Sequence, residues 1–282
     1  MDETRKRSLC LYLAKRLLKE RLDNGGFMPN RLMEIVPPRE TMEQATTEEL
    51  WLAVRALLNV REPWPADADL LAAQDELLQG LIAEAGVTPL EAAVSSPLDA
   101  RLRLRRGDIT TFAADAIVNA ANSGMTGCWA PLHYCIDNAI HTFAGMQLRL
   151  ACARLMDEQG HPEPTGCAKV TPAFNLPARH IIHTVGPISE GIVNDELRSL
   201  LAASYRSCLD AAACARDSSI AFCCISTGVF GFPADNAAQI ATSTVRTWLA
   251  ERDEVGGSSL AVVFNVFSEA DELRYRRILG IA

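Results

Sequence analysis

Two thiols and an imidazole lie close together near the middle of this sequence. Cys128, His133 and Cys135 form a C-x4-H-x-C pattern within the stretch GCWAPLHYCIDN. Thiolate sulfur and imidazole nitrogen are donors that Zn²⁺ accepts, and three protein ligands leave one tetrahedral position open. The spacing therefore predicts a catalytic metal site. The alternative is two buried thiols beside a hydrogen-bonded histidine.

The composition restricts the classes of protein to which the chain can belong. The 282 residues carry a formal net charge of −8, which argues against binding nucleic acid through a broad basic surface. No apolar run reaches the roughly 18 residues that a membrane span needs, so we expect no membrane association. Nine cysteines cannot all pair, and Cys223 and Cys224 lie in an apolar run, so we expect reduced thiols and a cytoplasmic protein. An Arg-rich amphipathic start leaves a mitochondrial presequence as the alternative.

Helical periodicity dominates the first ninety-odd residues. The first predicted helix carries apolar residues at helical spacing, namely Leu9, Leu13, Leu17, Leu18 and Leu22. Thr46 to Glu49 matches a capping box ahead of a second helix, and a third amphipathic stretch ends at Gly86. We expect these helices, with Gln74 and Asp75, to pack against the rest of the protein; recognition of a partner is the alternative.

Strand periodicity begins at Leu98, so we place a domain boundary near residue 97, between an N-terminal helical extension (1–97) and a second domain (98–282). Strands and helices alternate beyond it. The predicted strands include DAIVNA, AKVTPAF, HIIHTVG, SIAFCCIS and LAVVFNVF, and the helices cover about 135–159, 195–216, 236–251 and a last segment up to Leu279. Uniformly apolar strands favour a mostly parallel sheet covered on both faces. We therefore predict an α/β fold of three layers, α/β/α.

Ligands of such sheets bind beyond the carboxyl ends of the strands. The candidates there are Asp108 and Ile109 after the first strand, Asn122 after the second, Ser226, Thr227, Gly228, Val229, Phe230, Gly231 and Phe232 after a central one, and Phe267 after the last. Glycines in the central loop would let backbone amides approach a phosphate near a helix N-terminus. Three of these candidates have an alternative role: an ordinary turn for the loop, a capped turn for Asp108 and a left-handed residue for Asn122. The chain has neither a P-loop nor a dinucleotide-binding motif.

Four motifs in this order resemble a macrodomain of the ADP-ribosylhydrolase type. They are GDIT at 107–110, DAIVNAAN at 115–122, IDNAIH at 136–141 and STGVFGFP at 226–233. The resemblance covers roughly residues 98–282, and the helical start resembles the extension of one branch, the zinc-dependent macrodomains of microbes. It implies a mixed, mostly parallel sheet and zinc-dependent removal of mono-ADP-ribose from modified protein side chains, with ADP-ribose as product. It also implies a sirtuin-type transferase and a lipoate-bearing carrier protein as partners.

The resemblance further implies roles for single residues. Asp137 falls on the family's catalytic aspartate, Asn122 would position the ribose, and the candidates at the strand ends would bind ADP-ribose. The C-x4-H-x-C pattern replaces the glycine-rich loop of ordinary macrodomain hydrolases. A Zn²⁺ there would lower the pKa of a bound water from about 15.7 to about 7, or would coordinate a ribose hydroxyl. Two alternatives remain: a module that only recognises ADP-ribose, and a scaffold held together by zinc.

Overall fold

Nine α-helices and nine short strands make up the chain, and the computed structural model describes all 282 residues. The α-helices are α1 (Glu3–Asp23), α2 (Asn30–Ile35), α3 (Thr47–Asn59), α4 (Ala68–Ala85), α5 (Ile136–Ala144), α6 (Met146–Gln159), α7 (Asp195–Cys214), α8 (Ala234–Glu254) and α9 (Glu269–Leu279). The strands are β1 (Thr88–Pro89), β2 (Val94–Ser95), β3 (Leu102–Arg106), β4 (Phe112–Ala113), β5 (Ala116–Ala120), β6 (Ala168–Pro172), β7 (His180–Thr184), β8 (Ser219–Phe222) and β9 (Ala261–Val266). None of the helices has both the length and the apolar character that a membrane span requires.

The chain divides into two compact units that interleave along the sequence. The helical unit comprises Met1–Gly86, Thr126–Leu155 and Phe174–Leu176, and the sheet unit comprises Val87–Met125, Met156–Ala173 and Pro177–Ala282. All nine strands belong to the sheet unit. The domain boundary that we placed near residue 97 stays a prediction. The two compact units do not follow one another along the chain, since residues 126–155 belong to the helical unit.

The helical unit has its own apolar core. Leu9, Leu13, Leu17 and Leu18 of α1 pack with leucines of α3 and α4, as their spacing predicts. Leu22, the last member of the series, is 54 % exposed, because it lies one residue before the end of the helix. The predicted capping box is confirmed: the Thr46 hydroxyl accepts from the Glu49 N–H, and the Glu49 carboxylate accepts from the Thr46 N–H. This arrangement fixes the start of α3.

A single helix predicted over 135–159 is in fact two helices, α5 and α6, that meet at Gly145. Gly145 has φ +97°, and a Cβ there would lie 2.6 Å from Nε2 of Gln74. The Gln74 side chain also accepts a hydrogen bond from the Met146 N–H at 2.7 Å. Gln74 of α4 therefore satisfies the first free amide of α6, and glycine gives the chain the room and the backbone conformation to turn there.

The sheet unit contains a seven-stranded mixed sheet with strand order β2-β3-β9-β8-β5-β7-β6. The five central strands are parallel, with Leu102 of β3 opposite Val262 of β9, and the edge strands β2 and β6 are antiparallel to their neighbours. The side chains of β8 and β9 are buried on both faces, as expected for parallel strands covered by helices. The predicted strands and their order along the chain are confirmed.

Helices α7, α8 and α9 form the helical layer of the sheet unit. Helix α7 packs on β6 and β7, α9 packs on β3 and β9, and α8 lies between α7 and α9. The indole N–H of Trp248 on α8 donates to Asp210 on α7 at 2.7 Å. The strand predicted from Leu98 begins only at Leu102, because the Asp99 carboxylate accepts from the Arg101 N–H at 2.9 Å and turns the chain.

Candidate active site

The three residues of the C-x4-H-x-C pattern meet in the Cys-His loop, residues 126–135 of the helical unit. Sγ of Cys128, a ring nitrogen of His133 and Sγ of Cys135 all lie within 4.8 Å of one another, and all three residues are half-buried. Cys128 Sγ and His133 Nδ1 are 3.4 Å apart. Two backbone hydrogen bonds, His133 N–H to Ala130 O and Cys135 N–H to His133 O, make the tight turns that bring the donors together.

The donor set fits a tetrahedral Zn²⁺. Zn–S bonds of about 2.3 Å and Zn–N bonds of about 2.0–2.1 Å place neighbouring ligand atoms roughly 3.5–3.8 Å apart. The 3.4 Å between Cys128 Sγ and His133 Nδ1 is close to that value, and no pair of the three donors is more than 4.8 Å apart. Burial raises the pKa of the Cys135 thiol to about 12, so without a cation the thiol keeps its proton at neutral pH. A metal bound here would therefore displace a proton.

Asp137 lies directly after the Cys-His loop, in the first turn of α5. The residue is buried, and one carboxylate oxygen lies 3.6 Å from Nε2 of His141, one helical turn further on. Gly127 packs against the other side of His141: a Cβ on this glycine, at φ +86°, would lie 2.7 Å from the imidazole. His141 is buried and is not one of the three donors of the Cys-His loop.

Arg149 of α6 holds the start of the Cys-His loop, and sequence analysis missed it. Its guanidinium donates to Thr126 O at 2.8 Å, to Leu58 O in the last turn of α3 and to Arg61 O just beyond that helix. The same group lies 4.2 Å from the ring centroid of Trp129. Burial lowers the pKa of Arg149 to about 10, so the side chain stays charged at neutral pH.

The predicted ADP-ribose contacts all belong to the sheet unit. Strands β3, β9, β8 and β5 are neighbours and parallel, so the segments that follow them leave the same edge of the sheet. Those segments carry Asp108 and Ile109, Phe267, the glycine loop (residues 226–232) and Asn122. The topology thus brings the predicted ligand-binding residues to one edge.

Unsatisfied donors concentrate in the glycine loop. The N–H groups of Gly231 and Phe232 donate to Gly228 O and Ser226 O, whereas those of Gly228, Val229 and Phe230 donate to no acceptor in the protein. Helix α8 starts directly after the loop, and its N-cap, Pro233, offers no capping side chain. Exposed amides at a helix N-terminus form an anion site that needs no basic residue. An acidic chain can therefore hold a phosphate group there.

A close backbone approach shapes the glycine loop, and sequence analysis missed this too. Ser226 has φ +66°, and its hydroxyl is buried without a hydrogen-bond partner. A Cβ on Gly186 would lie 2.1 Å from that hydroxyl oxygen. On the other side, Ser189 and Glu190 donate their N–H groups to Phe230 O. Only glycine fits at position 186, and the loop is braced on both sides.

The remaining predicted ligand residues differ in what their side chains can do. The Asp108 carboxylate accepts from the Thr110 N–H at 2.8 Å, so it caps a turn, the alternative role noted above. Asn122 accepts from the Gly124 N–H at 3.0 Å, which fixes the plane of its amide. The side chains of Ile109 and Phe232 are each 2 % exposed and would reach a ligand only through their main chains, whereas Phe267 is exposed.

Comparison with known proteins agrees with this geometry. A profile of the macro domain family matches residues 118–241. The chain is 54 % identical over 237 residues to a protein-ADP-ribose hydrolase of Treponema medium, covering 83 % of this chain and 88 % of that protein. It is 44 % identical over 266 residues to a protein-ADP-ribose hydrolase of Staphylococcus aureus strain MRSA252, covering 94 % and 92 %.

Solved structures share the fold. The Trypanosoma brucei macrodomain in complex with ADP-ribose has a TM-score of 0.61 at 30 % identity, over 80 % of this chain and 95 % of that one. The Oceanobacillus iheyensis macrodomain with ADP has a TM-score of 0.57 at 39 % identity, over 64 % and 90 %. The predicted α/β class is confirmed, and the mixed sheet with its helices is consistent with three α/β/α layers. The chain belongs to the macro domain family and, within it, to the protein-ADP-ribose hydrolases.

Proposed function

We propose that this enzyme removes mono-ADP-ribose from protein side chains with the help of a Zn²⁺ held by Cys128, His133 and Cys135. The observation that carries the proposal is the clustering of three soft and borderline donors within 4.8 Å of one another, directly before the helix that bears Asp137. The names of the relatives support the hydrolysis, since both act on protein-bound ADP-ribose by their description. The donor chemistry supports the zinc.

The edge of the sheet supplies the binding half of the proposal. ADP-ribose carries a diphosphate, and the free amides of Gly228, Val229 and Phe230 at the start of α8 match that charge without a basic side chain. The Trypanosoma brucei macrodomain binds ADP-ribose by its description. Asn122, whose amide plane is fixed by Gly124, would hold the ribose hydroxyls.

The Cys-His loop and α5 supply the chemical half. When bound, Zn²⁺ is a Lewis acid that stabilises negative charge on oxygen. Asp137 would accept the proton of the attacking water, and His141, 3.6 Å from it, would hold the carboxylate in one orientation. The balanced reaction adds water across the bond between the ribose and the side chain: the hydroxyl goes to the ribose, and the proton goes to the side chain. The sirtuin-type transferase and the lipoate-bearing carrier protein stay predicted partners.

Replacing His133 with alanine tests the proposal. The full-length protein and the variant are assayed for bound zinc and for release of ADP-ribose from a modified protein. We expect the variant to lose zinc and at least about 100-fold in turnover, because a catalytic metal contributes several kcal/mol to transition-state stabilisation. The matched control is His161→Ala, since His161 is an exposed histidine outside the loop.

Two other functions predict different behaviour of the full-length protein. A module that only recognises ADP-ribose would bind ADP-ribose yet release none from the modified protein. A scaffold held by zinc would lose its melting transition when the metal is chelated. Full turnover by His133→Ala at reduced zinc content would refute the catalytic role of the metal.

A further inference from the structure

A residue of the N-terminal helices contacts the backbone of the Cys-His loop. Asn59 is the last residue of α3 and is 1 % exposed. Its Oδ1 accepts a hydrogen bond from the Leu132 N–H at 3.0 Å, across 73 positions of sequence. Its Nδ2 donates to Thr142 Oγ1 on α5 at 3.1 Å. One amide side chain therefore joins α3 to both the loop and the helix that follows it.

The contacted position is one that the loop would not hold by itself. Leu132 lies between Cys128 and His133 and has φ +56°, a left-handed conformation that costs a non-glycine residue about 1 kcal/mol or more. The Leu132 side chain packs against the apolar core of the helical unit. The hydrogen bond from its N–H to Asn59 and this packing together hold the strained turn.

A second side chain of α3 reaches the loop through Asn138. Arg55 Nη2 donates to Asn138 Oδ1 at 3.1 Å, and Asn138 Nδ2 donates to Ala130 O at 3.1 Å. The Asn138 N–H donates to Sγ of Cys135 at 3.4 Å. Asn138 is fully buried, and the three bonds are partly buried. The contacts of α3 therefore extend to the third proposed ligand.

We propose that Asn59 and Arg55 are positioning residues that hold the Cys-His loop in the conformation that gathers its three donors, and that the N-terminal helices thereby form part of the metal site. The inference rests on the zinc site proposed above. Residues behind the ligands orient them, and losing one such residue typically costs about 10–100-fold in metal affinity. Asn59 and Arg55 would hold the loop before any substrate binds, so a measurement of zinc affinity tests their role directly.

Two substitutions separate the loop contact from the helix contact. Asn59→Ala removes the bonds to Leu132 and to Thr142. Thr142→Val keeps the bond between Asn59 and Leu132, and removes the bond from Asn59 to Thr142 together with the long bond, 3.5 Å, from the Thr142 hydroxyl to Asn138 Oδ1. The zinc dissociation constant is measured by chelator competition on full-length protein that has been stripped and reloaded with Zn²⁺. We expect Asn59→Ala to raise the constant by about 10–100-fold and Thr142→Val to leave it near the wild-type value.

Two further variants control for folding. Leu50→Ala opens a cavity in the core at the other end of α3 without touching the loop, so it should lower the melting temperature and leave zinc affinity unchanged. If Asn59→Ala fails to fold, Arg55→Met removes the bond to Asn138 and keeps the apolar stem; we expect weaker zinc binding there too.

The outcomes distinguish the two proposals. If the wild-type protein binds zinc and Asn59→Ala or its Arg55→Met substitute binds it equally well, the positioning role is refuted and the zinc site stands. If Leu50→Ala loses as much zinc affinity as Asn59→Ala, general destabilisation explains the loss and the positioning role is again refuted. If the wild-type protein binds no zinc, the proposed zinc dependence fails and this inference fails with it.

Discussion

The Cys-His loop and the glycine loop are held in place by different kinds of contact. The Cys-His loop is held by side chains of three helices outside it: Asn59 of α3 at Leu132, Arg149 of α6 at Thr126 and Asn138 of α5 at Ala130. The glycine loop is held by backbone hydrogen bonds and by left-handed φ values at Ser226 and Gly231. A site that presents side-chain donors needs its backbone fixed from outside, whereas a site that presents amides can be fixed by the backbone itself.

We expect the largest loss of stability from replacing Arg149, which holds the Cys-His loop and not the glycine loop. Arg149→Met keeps the length of the side chain but removes the guanidinium bonds to Thr126 O, Leu58 O and Arg61 O, of which Leu58 O alone still accepts a backbone N–H, that of Arg61. We expect the free energy of unfolding to fall by about 2–4 kcal/mol, measured by urea titration. Arg154→Met is the matched control, because Arg154 is exposed on the same helix, and it should change stability by at most about 0.5 kcal/mol. Equal stabilities of the two variants would show that the Cys-His loop needs no anchor here.

We expect a smaller loss of stability when the sheet unit is exposed to acid. His183 of β7 is fully buried, bonded to Asn119 and Thr171, and burial lowers its pKa to about 3. The unfolded chain takes up this proton near pH 6.5, so the stability that neutral His183 provides is present above pH 6.5 and lost as the pH falls toward 3. Between pH 7 and pH 5 the loss should be about 2 kcal/mol.

Replacement by glutamine checks the origin of that loss. His183→Gln should remove this part of the pH dependence between pH 7 and pH 5, as followed by unfolding at each pH, whereas exposed His161→Gln should retain it. An unchanged pH profile in His183→Gln would mean that another group carries the acid sensitivity.

We expect the smallest loss of stability from replacing a glycine of the glycine loop, and the loss should differ between Gly231 and Gly228. Gly231 has φ +67°, and a Cβ there would lie 3.3 Å from Cα of Glu190, so Gly231→Ala should cost about 1–2 kcal/mol. Gly228 has open space around it, so Gly228→Ala should fold with wild-type stability. Calorimetric titration with ADP-ribose then completes the comparison: weaker binding by Gly228→Ala at unchanged stability would place the ligand against that amide. Equal stabilities of the two variants would contradict the claim that backbone conformation holds this loop.

Much of the fold was predictable because its patterns are local. The strands that follow residue 101 and the helices α7, α8 and α9 are set by apolar spacing over fewer than about 20 residues. The break at Gly145 was missed, because the apolar pattern continues through it and one glycine inside a helix is tolerated. The reason for the break is Gln74, which lies on another helix.

The candidate site was predictable only in part, for a related reason. The three clustered donors lie within eight positions of sequence, so their spacing was visible. Asn59 and Arg149 gave no pattern, because a single polar residue in a helix is usually solvated and their partners lie 73 and 91 positions away. Gln74 and Asp75 were noted, yet their role at the α5–α6 turn depends on residues far along the chain.

The interleaved layout of the helical unit determines the order in which the chain can assemble. A chain leaving the ribosome presents α1 to α4 first and then the start of the sheet, residues 87–125. Asn59 and the carbonyls to which Arg149 donates lack their contacts with residues 126–155 until these residues have been synthesised. Bringing these residues back to α3 closes a long loop of chain, which has an entropic cost. The contacts that hold the Cys-His loop against α3 therefore form only once α6 has left the ribosome, and until then α3 keeps the Asn59 side chain without its partners.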